Sequence, residues 1–327
     1  MSEPGREAGG TPGTTGILFA ADLGGTKLRA ALADEEGTIL AEIVEPTVQG
    51  SGAEIVGQVA DALASLAGRA GLPRGTVRAA GLGLPLAVDP ETGGSWSFHN
   101  LPGLGTLAPV AAFRAALGVP VALDNDGNCA ALGEGRAGAA VGVADYAVLV
   151  IGTGIGSGIV AGGRLLRGAH GGAGEIAFLP LGADPWEAGN RLRGAYETAV
   201  AGPAIRARLE VALDAARRTG EATTLVGGTG LAAIATAAAA GDPLAGRLLD
   251  EEARYVALGV AAIAAVTDPA VVVLSGGVGA IGAILEPVRA HVATLAARPP
   301  RVVTGVLGER APLVGAVELA RDLSRRP

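Results

Sequence analysis

Apolar and polar positions change rhythm along this chain in a way that repeats itself. From Ile17 a continuous apolar run, ILFAADL, ends in Gly24-Gly25, and KLRAALAD and TILAEIVEP follow around the turn Asp34-Glu35-Glu36-Gly37. That pattern predicts a three-strand meander. Ile55, Val59, Ala62, Leu63 and Leu66 then recur at helical spacing, and after Pro73 the run VRAAGLGLPLAV predicts another strand. Strand, helix and strand in that order imply a crossover.

The second half opens in the same style. Residues 146–151 read as a strand, Gly152-Thr153-Gly154-Ile155-Gly156 as a glycine turn, 157–160 as a second strand and 164–167 as a third. The match in layout suggests internal duplication and two similar α/β lobes. Residues 187–258 are alanine-rich and predominantly helical in pattern, VVVLSGGVG at 271–279 predicts a strand ending in glycines, and a last helix is expected near 314–323. The expected division is a flexible Gly/Thr/Pro tail at 1–15, a small α/β domain at 16–124 and a large α/β domain at 125–310. A C-terminal helix at 311–327 is expected to pack back on the small domain, and the lobe boundary falls within 121–126.

Composition narrows the function classes. With 327 residues, 49% of them hydrophobic and 17% charged, the chain can bury a large core without staples, and its single cysteine, Cys129, allows neither a disulfide framework nor a cysteine zinc cluster. The net charge of −7, with no long basic run, argues against nucleic acid as a partner. The longest apolar stretch, 256–266, falls far short of the ~20 residues of a membrane span, so no membrane partner is expected. The N-terminus has neither the basic nor the apolar region of a secretion signal, and a cytoplasmic location is expected. Lys27 is the only lysine, every other strong base being arginine. A drift that removed all other lysines spared this one.

Three glycine turns follow strands. Asp22, Gly24, Gly25, Thr26 and Lys27 form the first, where bare backbone, a hydroxyl and an ammonium could receive a phosphate and Asp22 could hold magnesium through water. An ordinary hairpin turn explains the same residues equally well. The second turn carries Thr153, Gly154 and Gly156, and the third Gly276 and Gly277. No helix follows the second as a dinucleotide site requires, and the first lacks P-loop spacing. Three such turns, two of them in duplicated lobes, fit a nucleotide held in a cleft.

Carboxylates cluster near them. Asp124-Asn125-Asp126-Gly127-Asn128 follows the strand-like VPVAL, where a carboxylate suits a general base and where Asp126 or Asn128 suits a helix cap equally well. Glu175 lies in the glycine-rich loop that begins at His170, and Asn100 in the loop Phe98-His99-Asn100. The three histidines, His99, His170 and His291, are too dispersed for a metal motif.

Taken in order, DLGGTKLR at 22–29, GLGLPLAVDPETG at 81–93, NLPGL at 100–104, NDGNCAALGE at 125–134, IGTGIGSGIVAGGRLLRGAHGGAGEI at 151–176 and VVLSGGV at 272–278 resemble the ROK family of repressors, open reading frames and sugar kinases. The resemblance runs from Ile17 over nearly the whole chain. It implies the two-lobed actin-like ATPase fold, of ribonuclease H type, with an interlobe cleft, and a glucokinase-like transfer of the γ-phosphate of ATP to a sugar hydroxyl, the 6-hydroxyl above all. By that resemblance Asp126 is the catalytic base, and Asn100, Asn125, Asp126, Glu175 and Glu197 hold the sugar. Asp22, Gly24, Gly25, Thr26 and Lys27, with Thr153, Gly154 and Gly156, hold phosphate, and Gly276 and Gly277 the adenosine side. ATP with Mg²⁺ and a homodimer are implied.

Two departures stand out. Where family kinases read GEIGH this chain reads Gly174-Glu175-Ile176-Ala177-Phe178, and the cysteine-rich zinc segment is replaced by residues 186–197. No structural zinc is expected, and an apolar plug of Phe178 and Trp186 is expected in its place. Losing a histidine from the sugar side also makes a modified hexose, amino sugar or cyclitol plausible. The rivals are a sugar sensor without catalysis and a polyphosphate kinase, whose basic channel would form near Arg164, Arg167 and Arg191. A DNA-binding repressor is not expected, since only about 15 residues precede the first strand and the net charge is −7.

Overall fold

The computed structural model describes residues 16–73, 75–89, 92, 94–96 and 101–326, so the tail, His99 and Asn100 lie outside the described residues. The first meander is β1 (Ile17–Leu23), β2 (Lys27–Ala33) and β3 (Ile39–Pro46). Helix α1 (Gly52–Arg69) follows, opened by a capping box in which Ser51 and Glu54 satisfy each other's backbone amides. Then come β4 (Val77–Leu84), the two-residue strands β5 (Ala87–Val88) and β6 (Ser95–Trp96), α2 (Pro109–Leu117) and β7 (Val121–Asn125). The sheet order is β3-β2-β1-β4-β7, with β1, β4 and β7 parallel and the meander antiparallel.

Helix α3 (Asp126–Ala137) leads into the second set: β8 (Tyr146–Ile151), β9 (Ile155–Ala161) and β10 (Arg164–Leu165). Helices α4 (Ala188–Arg193), α5 (Ala195–Val200), α6 (Gly202–Thr219), α7 (Leu231–Ala239) and α8 (Pro243–Thr267) form its helical body. The chain closes with β11 (Val271–Ser275), α9 (Gly276–Gly279), α10 (Gly282–Leu295), β12 (Arg301–Thr304) and α11 (Ala311–Ser324). The second sheet, β10-β9-β8-β11-β12, repeats the first: an antiparallel meander whose first strand continues into parallel strands.

Two differences from the sequence pattern have local causes. Helix α10 and strand β12 carry little signal, because α10 holds Pro287 and buries only Ile284, Val288 and Val292, and β12 has four residues. The third strand of the second meander is two residues long, since Arg167 leaves the ladder to meet Asp124.

Packing follows side-chain parity. On one face of the first sheet Phe19, Leu28, Leu32 and Leu82 meet Ile55, Val59, Ala62 and Leu66 of α1. On the other, Leu18, Ala20, Ala31 and Ala79 meet Leu313, Ala316, Val317 and Ala320 of α11. The second sheet offers Tyr146, Val148 and Val160 to Ala130 and Ala131 of α3. Helices α3 and α11 thus form a middle layer between the sheets.

That layer is closed by glycines. A Cβ on Gly315 would lie 1.8 Å from the Cys129 carbonyl oxygen, one on Gly133 2.2 Å from that of Ala311, and one on Gly81 1.9 Å from that of Ala316. Gly57 in α1, by contrast, faces open space. Two substitutions separate these cases in urea unfolding. Gly57→Ala raises stability by up to about 1 kcal/mol through helix propensity, while Gly315→Ala lowers it by about 3 kcal/mol or more through overpacking.

Candidate active site

The chemistry gathers at the carboxyl ends of the parallel strands, the usual crevice of α/β sheets. Register places Asp22 beside Gly83, Gly83 beside Asp124, and Leu84 beside Asn125. Gly83 keeps this row open, because a Cβ there would lie 3.2 Å from Cys129 Sγ and 3.7 Å from Asp22 Oδ1. Burial pushes the Asp22 carboxyl up to about 7, helped by the charge of Asp126 and opposed by Arg29 and Lys27.

Asp126 is the first residue of α3. Its cap is Asn125, whose Oδ1 accepts from Gly127 N at 2.8 Å and Asn128 N at 3.4 Å, so neither Asp126 nor Asn128 serves as cap. Asp126 Oδ1 also accepts from Gly127 N at 2.8 Å. Burial raises its pKa while that amide, at a helix N-terminus, favours the charged form. Asp124 is consumed structurally: Asn125 N, Asn128 Nδ2 and Arg167 Nε donate to it at 2.9, 2.7 and 2.7 Å.

Glu175 and Glu197 complete the acidic group. Asn125 Nδ2 donates to Glu175 Oε1 and to the Leu86 carbonyl, both at 3.4 Å. Glu175 is raised to about 7 by burial and by the charges of Asp126 and Glu197. Glu197, on α5, accepts from Ile155 N at 2.9 Å and so touches the second glycine turn. Gly156 of that turn lies against Asp126, a Cβ there being 3.7 Å from Asp126 Oδ1, and Thr153 is exposed. The loop before Glu175 is held from the small lobe, where Trp96 Nε1 donates to the His170 carbonyl at 2.9 Å.

The first turn is closed by Gly24 N donating to the Lys27 carbonyl at 2.9 Å and tied to the chain after β3 by Gln49 Nε2 donating to the Gly25 carbonyl at 2.7 Å. Thr26 and Lys27 are exposed. Lys27 Nζ pairs with Glu309 Oε2 at 2.8 Å, a partner that lies 282 positions away and that sequence gave no means to find. Gly276 takes φ +81° and would meet the Ile151 carbonyl oxygen at 2.5 Å if it bore a Cβ, whereas Gly277 faces open space. This third turn is the single turn of helix α9 at a strand end.

The structure therefore brings Asp22, Asn125, Asp126, Glu175, Glu197 and the second turn together. Asn100 lies outside the described residues. The apolar plug is not formed, since Phe178 is 39% and Trp186 81% exposed. What joins these segments is Gly194, at φ +98°, where a Cβ would fall 2.2 Å from the Ala177 carbonyl oxygen.

The ROK family model matches residues 18–323. The chain belongs to the ROK family. It is 31% identical to the glucokinase of Streptomyces coelicolor over 319 residues, covering 94% of this chain and 98% of that protein. It is 34% identical over 321 residues to the bifunctional enzyme NanE/NanK of Brucella suis, covering 93% of this chain but 53% of that protein, about half its length. Among solved structures, a ROK family glucokinase from Streptomyces griseus in complex with glucose and AMPPNP is 28% identical, with a TM-score of 0.71 over 94% of this chain and all of that one (100%). The two-lobed fold is that of the actin-like ATPases, as in other ROK kinases.

Glu175 gives this ROK protein a pH signature. Its carboxyl is raised in the folded state, so the native protein binds a proton that the unfolded chain releases at the same pH. The contribution is fully present below the unfolded value and lost as pH rises through about 7. Urea unfolding of the ligand-free protein from pH about 5 to about 8 is expected to show wild type losing stability relative to Glu175→Gln as pH rises. Parallel curves would contradict the assignment.

Proposed function

We propose that this chain is a sugar kinase in which Asp126 takes the proton of a sugar hydroxyl as that oxygen attacks the γ-phosphorus of ATP. The observation that carries the reading is Asp126 at the N-terminus of α3, in one acidic group with Glu175 and against the glycine turn at Gly156. A bond forms between the sugar oxygen and phosphorus, the bond from phosphorus to the β–γ bridging oxygen breaks, and the proton ends on Asp126. Burial makes Asp126 a stronger base than a surface aspartate, while the Gly127 amide holds its orientation. Asn125 and Glu175, with Asn100 by resemblance, orient the neighbouring hydroxyls, and Glu197 borders both sugar and phosphate sides.

The donor set fits magnesium. Asp22 and Asp126 repel each other across a half-buried site, and a divalent cation held by Asp22 through water would relieve that repulsion. When bound, it neutralises charge on the phosphate oxygens. We favour ATP over polyphosphate because the related Streptomyces griseus glucokinase is in complex with AMPPNP, and because Arg167 and Arg191 each turn part of the guanidinium to a protein partner, Asp124 and the Trp186 carbonyl. The retained acids also favour a kinase over a sensor.

The acceptor in this reading is the 6-hydroxyl of a hexose. A second reading, an amino sugar or cyclitol, is favoured by Phe178 at the position where family kinases carry histidine. Coupled ADP release with ATP, magnesium and a panel of hexoses, amino sugars and cyclitols tests both. Asp126→Asn is expected to lower the rate on the best substrate by about 10²–10⁴-fold, with ATP binding retained. An unchanged rate in the variant would overturn the role of Asp126.

A further inference from the structure

The turn between β8 and β9 already holds an anion, and that anion belongs to the protein. Ile155 N donates to Glu197 Oε2 at 2.9 Å. The same oxygen would lie 2.7 Å from a Cβ on Gly154, and Glu197 Cδ 3.4 Å, so the carboxylate covers the bare face of the glycine. A phosphate approaching backbone at this turn needs that face. The backbone around it is braced: Gly152 N donates to the Gly154 carbonyl at 2.9 Å, and Gly202 N to the Gly152 carbonyl at 2.8 Å. The carboxylate reaches this turn from α5, and it lies close enough to Glu175 to act on its charge.

We propose, on the kinase reading above, that Glu197 is a gating residue whose carboxylate occupies the Gly154–Ile155 phosphate turn until sugar hydroxyls draw it away. A hydroxyl donates well to a carboxylate, whereas a phosphate placed beside one meets like charge. Sugar binding would thus expose the turn, and in its absence the turn would hold nucleotide weakly and spare ATP from hydrolysis. This role differs from simple sugar contact, because it makes Glu197 an obstacle to nucleotide whenever sugar is absent.

Calorimetry without sugar separates the two roles. Magnesium with AMPPNP, magnesium with tripolyphosphate, and adenosine are titrated into wild type, Glu197→Gln and Glu197→Ala. The gate predicts that both phosphate compounds bind the variants at least about fivefold more tightly, that adenosine binds all three alike, and that sugar-free ATP hydrolysis rises. Unchanged or weaker binding of the phosphate compounds in folded variants overturns the gate. If Glu197→Ala fails to fold, Glu197→Gln, which keeps the shape and loses the charge, decides. If folded wild type and variants all fail to bind nucleotide, the kinase reading itself falls and the gate with it.

Discussion

Helix α3 is held at distances that only glycine permits, and the position of Asp126 depends on that. A Cβ on Gly127 would lie 2.7 Å from both the nitrogen and the carbonyl oxygen of Ser157, and one on Gly158 2.5 Å from the Gly127 carbonyl oxygen. At the other end Gly133 and Gly315 let α11 approach to backbone contact. Each glycine in a helix forgoes about 1 kcal/mol of propensity relative to alanine. Close packing of backbone on backbone offsets this, and it fixes a carboxylate against the turn at Gly156 more firmly than side-chain packing would.

The second constraint is electrostatic. Asp22, Asp126, Glu175 and Glu197 converge on one cleft, and Asp22 and Glu175 both rise to about 7 because burial and neighbouring acids oppose their ionisation. At the Asp22 end, Arg29 and Lys27 oppose that rise. A site of this kind is relieved by what a kinase binds: hydroxyl donors near Glu175 and a cation near Asp22. The strained acids and their ligands are complementary descriptions of one site.

Much of this was legible in the sequence, for physical reasons. The duplicated meander and α1 follow from period-two and period-3.6 patterns over long runs, and the glycine turns sit where apolar strands end. The cap of α3 was not legible, because Asn125, Asp126 and Asn128 all have capping chemistry and only the backbone angles at Asn125 decide among them. Nor were the pairs Lys27–Glu309 and Asp124–Arg167, which join distant parts of the chain. The departure from the family's zinc segments suggested an apolar plug of Phe178 and Trp186, but both side chains are exposed and the two segments meet instead at Gly194 and Ala177. The contact of Glu197 with Ile155 N likewise needs three dimensions to be seen.

The most direct test is the steady-state kinetics of Gly127→Ala. The added methyl would press on the Ser157 backbone and displace the start of α3 without altering any acid. The account predicts a folded variant whose kcat on the best sugar falls by about 10²-fold, the scale expected for an ångström-sized misplacement of a catalytic group. A folded Gly127→Ala with unchanged kcat would contradict it.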